Sequence, residues 1–165
     1  MKKLVISDLD KCTGCRICEM VCAFFREKQC NPNRSRIRII KLEKEGLDIP
    51  VFCQQCEEPI CRDVCPVGAL SKGPDGIMHL DPERCVGCWA CLISCPYGAI
   101  SFYEGGFRLC DLCQGEPKCA EWCPTGAIQF VDESLADIPR RRVAAESLAK
   151  QKIENRRGQM AESEE

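Results

Sequence analysis

The run Cys85-Val86-Gly87-Cys88-Trp89-Ala90-Cys91-Leu92-Ile93-Ser94-Cys95-Pro96 spaces its cysteines as C-x2-C-x2-C-x3-C-P. Three thiolates at this spacing can wrap one cubane iron–sulfur cluster from a single loop, and the fourth passes to a second cluster. Working outward, three further groups follow the same plan. Cys12, Cys15, Cys18 and Cys22 repeat the spacing without a trailing proline. Cys53, Cys56, Cys61 and Cys65 carry an enlarged middle loop, as do Cys110, Cys113, Cys119 and Cys123. Sixteen of the 17 cysteines therefore fall into four groups of four, and sixteen ligands fill four cubanes with none left over.

The repeat is more specific than any one group. Cys-Pro-x-Gly-Ala followed by Leu or Ile occurs at Cys65, Cys95 and Cys123. Each proline stops a helix and turns the chain away. Each glycine permits a tight turn, and the apolar pair after it starts a short strand. The fourth cysteine is expected to begin a helix. The unit is cysteine loop, short helix, strand, and two units make one two-cluster module.

Between the groups the sequence reads as short hairpins. Residues 4–8 suggest a strand ahead of Cys12. Gly14 allows turns that aim amide N–H groups at sulfide. Beyond Cys22 a short helical turn is expected, with Phe24 and Phe25 packed in the core. Residues 34–52 alternate basic and apolar side chains around Gly46 and predict a hairpin whose basic face is solvated or meets a partner. Gly73-Pro74-Asp75-Gly76 marks a turn inside a second hairpin over 69–80. Gly105-Gly106 marks a third, and residues 129–131 extend as a strand. From Pro139 the composition changes to Ala, Lys, Glu, Gln and Arg, which favours a C-terminal helix with a thin apolar stripe, ending in an acidic, disordered stretch.

Composition excludes several classes. The chain has 165 residues with only 6 Phe, 2 Tyr and 2 Trp, so an ordinary aromatic core is not available and inorganic centres must supply stability. Formal net charge is −2, and each oxidised cubane with four thiolates adds about −2 more. An acidic holoprotein is a poor ligand for nucleic acid. Met1-Lys2-Lys3 precedes too few apolar residues for a secretory signal, and no stretch reaches membrane-spanning length. Reduced thiols in the cytoplasm are expected. Zinc sites use paired knuckles separated by longer loops rather than three close cysteines and a fourth before proline. Cys30 is left as a free thiol. His79, the single histidine, is placed on a hairpin surface. Trp89 and Trp122 are expected to cover clusters and exclude water. Asp8, Asp10 and Asp81 read as caps and turns, and no catalytic constellation is present.

On these four ordered motifs, roughly residues 3–132, the chain resembles the four-cluster, ferredoxin-like iron–sulfur subunits of anaerobic molybdenum and tungsten pterin oxidoreductases. In its compact form it is similar to the small subunits of tungsten aldehyde oxidoreductase and tungsten benzoyl-coenzyme A reductase. The resemblance implies an α+β fold of tandem bacterial 2[4Fe-4S] ferredoxin-like modules with short hairpins and a C-terminal helix. It implies an outer module from residues 1–33 plus 104–132, an inner module from 34–103, and a docking tail over 133–165. It implies four [4Fe-4S] clusters. Their ligand sets would be Cys12, Cys15, Cys18 and Cys123; Cys22, Cys110, Cys113 and Cys119; Cys53, Cys56, Cys61 and Cys95; and Cys65, Cys85, Cys88 and Cys91. The implied role is a non-catalytic, cytoplasmic electron-transfer subunit. Its partners would be a large tungsten- or molybdenum-pterin subunit and a further redox subunit or ferredoxin. Subunits of hydrogenase or carbon monoxide dehydrogenase systems, and free soluble polyferredoxins, share the pattern.

Overall fold

The computed structural model describes residues 2–6 and 8–132. The tail helix expected beyond Pro139 lies outside the described residues. The fold is α+β. Eight short strands pair into four two-stranded antiparallel sheets, and short helices connect them.

Strand β1 (Lys2–Ile6) pairs with β8 (Ile128–Asp132) in the register Leu4 to Phe130. This joins the two ends of the described chain, and Leu4 and Ile128 are buried beneath the ribbon. The other sheets are local hairpins: β2 (Ile37–Leu42) with β3 (Leu47–Phe52), β4 (Leu70–Lys72) with β5 (Met78–Leu80), and β6 (Ser101–Tyr103) with β7 (Gly106–Arg108). All three lie where alternation and turn residues place them.

The helices correct one expectation. In the three groups followed by proline the third cysteine, not the fourth, sits in the helix. Cys61 is in α2 (Ile60–Asp63), Cys91 in α3 (Ala90–Ser94) and Cys119 in α4 (Lys118–Glu121). Cys65, Cys95 and Cys123 come just after these helices end, because the proline beyond each cannot continue one. The first group lacks that proline, and its helix α1 (Ile17–Glu27) runs through both Cys18 and Cys22. It stops at Lys28, which takes a left-handed φ of 57° and donates its N–H to the Phe24 carbonyl at 2.8 Å. A left-handed residue at this place closes a helix by satisfying an orphan carbonyl. Phe24 and Phe25 are not core residues. They stand 48% and 38% exposed on α1, edge to face with ring centres 5.8 Å apart.

Helix α1 packs against α4, and α2 packs against α3. The β2–β3 hairpin is fastened to α1 by Glu19, whose side chain is completely buried. One carboxylate oxygen accepts the Ile39 N–H at 2.6 Å, and the other lies 3.6 Å from the Arg38 guanidinium. On the basic face of the hairpin Arg38 and Lys41 pair with acidic groups of the same chain, Glu19 and Asp48, while their side chains remain 39% and 40% exposed. Removing the Glu19 carboxylate leaves a buried N–H unpaired, so Glu19→Ala should lower stability by about 2 kcal/mol. Glu19→Gln keeps an acceptor for Ile39 and should recover most of that loss. The denaturant midpoint of the loaded protein measures both.

Candidate functional site

Cysteine is the most frequent residue of the described core. Cys18, Cys22, Cys53, Cys61, Cys91, Cys110 and Cys119 are buried among apolar side chains, and none of the seventeen cysteines is joined in a disulfide. Cys15, Cys30 and Cys88 are exposed. Cys30 lies outside every group, as its spacing requires.

Two cavities carry the geometry. The first, of about 20 Å³, is lined by Cys53, Cys56, Cys61 and Cys95, with Pro59, Ile60, Met78, Pro96, Ile100 and Leu109 among its apolar walls. The second, of about 10 Å³, is lined by Cys65, Cys85, Cys88 and Cys91, with Val67, Leu70, Leu80, Val86, Trp89 and Phe107. In each, three sulfurs come from one group and one from the other. Four sulfurs drawn from two loops onto one apolar-walled pocket are the donor set a cubane cluster takes. Among the described residues no three His, Cys, Asp or Glu side chains converge on a single-ion position.

The outer groups meet through their charges. The sulfurs that act on Cys119 include Cys110, Cys22, Cys113 and Cys18, and those acting on Cys110 are Cys22, Cys53 and Cys113. Cys15 and Cys12 act on Cys18. Cys123 follows α4, which brings it toward this region by packing on α1.

Burial pushes the Cys18 and Cys53 thiols up to about 12. It raises Cys22, Cys61, Cys91, Cys110 and Cys119 as well. A sulfur in such surroundings becomes a thiolate only beside compensating positive charge, which iron supplies. The donor set and the apolar walls thus fit an iron–sulfur group.

Cys65 and Cys123 behave oppositely. Burial again raises both thiols, but backbone N–H groups outweigh it and hold them below the ordinary value. At Cys65 the donors are Ala69, Val67, Leu70 and Gly68; at Cys123 they are Ile128, Thr125 and Ala127, with the Thr125 hydroxyl. The Ala69 N–H reaches the Cys65 sulfur at 3.2 Å, and the Ala99 N–H reaches Cys95 at 3.5 Å. The recurrent Cys-Pro-x-Gly-Ala turn makes this possible, since Gly68, Gly98 and Gly126 adopt left-handed φ of 61°, 59° and 65°. A row of amides curled round a sulfur favours negative charge on it. Cys22 has no such turn. Its sulfur instead accepts the Arg36 N–H at 3.3 Å from the start of the hairpin.

Around Cys22 lies a knot of charge that spacing did not disclose. Asp111 accepts the Cys113 N–H at 3.2 Å, pairs with Arg26, and lies 3.1 Å from Arg36. Glu27 stands 3.6 to 3.9 Å from Arg34, Arg36 and Arg108. Trp89 lines the second cavity with Phe107, 5.4 Å between ring centroids, and packs on Phe102 at 4.5 Å. Trp122 is 54% exposed and shields less. His79 is exposed opposite Ser71. The Asp8 carboxylate accepts the Asp10 N–H and the Asp81 carboxylate those of Glu83 and Arg84, so both cap turns. Among the described residues no helix is long and apolar enough to cross a membrane.

The 4Fe-4S dicluster domain family matches residues 45–133, and a second 4Fe-4S binding domain family matches residues 9–24. The chain belongs to the 4Fe-4S dicluster domain family and is a ferredoxin-like iron–sulfur electron-transfer protein. The electron transport protein HydN of Escherichia coli is 34% identical over 87% of this chain and 98% of its own length. The polyferredoxin-like subunit of an aliphatic sulfonate oxidoreductase from Pyrococcus furiosus is 40% identical over 69% of this chain and 67% of its own. Among solved structures, a chain of the active-site complex BamBC of benzoyl coenzyme A reductase aligns with a TM-score of 0.47 and 29% identity, covering 91% of each chain.

Proposed function

We propose that this chain holds four [4Fe-4S] clusters and relays electrons between a catalytic tungsten- or molybdenum-pterin subunit and another redox carrier. The two cavities, each ringed by three cysteines of one group and the fourth of another, carry this reading. Clusters held there supply one-electron transfer. The ligand sets are Cys12, Cys15, Cys18 and Cys123; Cys22, Cys110, Cys113 and Cys119; Cys53, Cys56, Cys61 and Cys95; and Cys65, Cys85, Cys88 and Cys91.

The mutual effects of the sulfurs support a linear order. Cys18 acts on Cys119, which joins the first set to the second. Cys53 acts on Cys110, which joins the second to the third. The third and fourth exchange Cys65 and Cys95. The outer module, residues 1–33 with 104–132, is closed by the β1–β8 ribbon and the packing of α1 on α4; the inner, 34–103, by α2 on α3. Apolar walls line the two inner cavities, and amide turns favour negative charge on Cys65, Cys95 and Cys123, the two levers by which a protein adjusts cluster potential. The catalytic partner is supported by the relative named as a subunit of an oxidoreductase.

Anaerobic purification from the native host tests the proposal. The expected result is a brown protein with about sixteen irons per chain, copurifying with a larger chain that contains pterin and tungsten or molybdenum. About eight irons would overturn the four-cluster count. Isolation as a free chain would overturn the partner.

A further inference from the structure

Gln55 occupies a spacer position between two ligand cysteines, where the spacing makes no demand on its side chain. Yet the side chain is 2% exposed, among the most deeply buried of the large ones. Its backbone takes a left-handed φ of 49°, which a residue other than glycine adopts only when its surroundings hold it there.

What holds it is a pair of hydrogen bonds of opposite sense. The Gln55 Nε2 donates to the carbonyl oxygen of Cys110 at 2.7 Å. The Gln55 Oε1 accepts the N–H of Met78 at 2.8 Å. Its own backbone N–H is directed at the Cys53 sulfur. One residue therefore touches the third ligand set through Cys53, the second through Cys110, and β5 through Met78. The side-chain amide is required in this role. A glutamate offers two acceptors to a site needing one donor and one acceptor. Methionine offers neither, and asparagine is one methylene short.

On the four-cluster reading, we infer that the Gln55 side chain is the positioning residue of the central joint, tying the ligand loop of Cys53 and Cys56 to the backbone of Cys110 and so setting the separation of the two middle clusters. Electrons entering one module must cross here to reach the other. Buried hydrogen bonds of this kind hold one geometry because the alternative is an unpaired carbonyl and an unpaired N–H.

The test uses the full-length, anaerobically loaded protein and its Gln55→Met and Gln55→Glu variants. Iron content is determined first, so that a wrong cluster count is separated from a wrong joint. The proposal expects each loaded variant to keep the spin–spin coupling within each pair of clusters. It expects weakened coupling between the pairs in pulsed EPR, and severalfold slower electron equilibration across the middle after pulse reduction. Gln55→Glu keeps the acceptor for Met78 and nearly the same volume, so it reports on the Cys110 contact if Gln55→Met does not load. A loaded variant with a lowered melting temperature but native coupling and native equilibration would show a purely structural role and overturn the inference. Failure of both variants to load would overturn it as well, since Gln55 would then be needed for assembly rather than for spacing.

Discussion

Replacing Cys95 by alanine is expected to strip iron from the cavity of Cys53, Cys56 and Cys61 while sparing the cluster of its own motif. Cys95 follows α3 with φ −70° and ψ 113°, an extended residue that carries its sulfur out of the helix. That sulfur lines the first cavity, whereas Cys85, Cys88 and Cys91 line the second with Cys65. Iron should fall from about sixteen toward about twelve per chain. Combining substitutions makes the assignment decisive, because residues acting as one unit do not add. Cys53→Ala with Cys95→Ala should lose no more iron than either alone. Cys85→Ala with Cys95→Ala should lose two clusters' worth. Iron and sulfide analysis with EPR of the reduced protein reads both. If the second pair behaves like a single substitution, the crossed arrangement is wrong.

Removing all iron is expected to abolish cooperative unfolding. Among the described residues seven of the 22 buried apolar ones are cysteines, and what surrounds them is four two-stranded ribbons, each marginal alone, and four helices of 4 to 11 residues. Binding of a structural metal can be worth about 10–16 kcal/mol, comparable to the whole stability of a domain, about 5–15 kcal/mol. A chelated, anaerobic sample should show no sharp thermal transition and lose its near-ultraviolet dichroism. What residual structure survives should respond to alkali rather than to mild acid. Wherever that residual structure keeps them buried, burial pushes Cys18 and Cys53 from 9.0 up to about 12. Between those values the unfolded chain gives up protons that the folded chain keeps, so stability falls as pH rises, by about 1.4 kcal/mol per unit for each such thiol. Below pH 9 both forms hold these protons and the thiols contribute no slope. Far-ultraviolet dichroism followed from pH 7 to 12 checks the sign; residual structure that strengthens with alkali would refute it.

Much of this protein was legible before its coordinates. Cysteine spacing named the cofactor class, because thiolate geometry around a cluster is set by distances a short loop can span. Alternation and turn residues located the three hairpins, because hairpins are local. The helices were misplaced by several residues: their limits depend on where proline stops each turn and on the absence of proline after Cys22. Phe24 and Phe25 read as core and proved exposed, because apolar character alone does not say which face of α1 is covered. Glu19, Arg36 and Gln55 were invisible as site residues. Their partners, Ile39, Cys22 and Cys110, lie 14 to 55 residues away, and nothing in a linear pattern marks such a contact.

By itself, then, the sequence determined the chemistry, in four cysteine groups and a thrice-repeated turn that curls amides round a sulfur. The tertiary structure decided how those groups meet. The β1–β8 ribbon, the charge knot around Asp111 and Glu27, and the buried amide of Gln55 bring separate loops into register. The physical reason is that ligation within a loop is a local distance, whereas the separation between loops is set by packing and by hydrogen bonds that form only once the whole chain has closed.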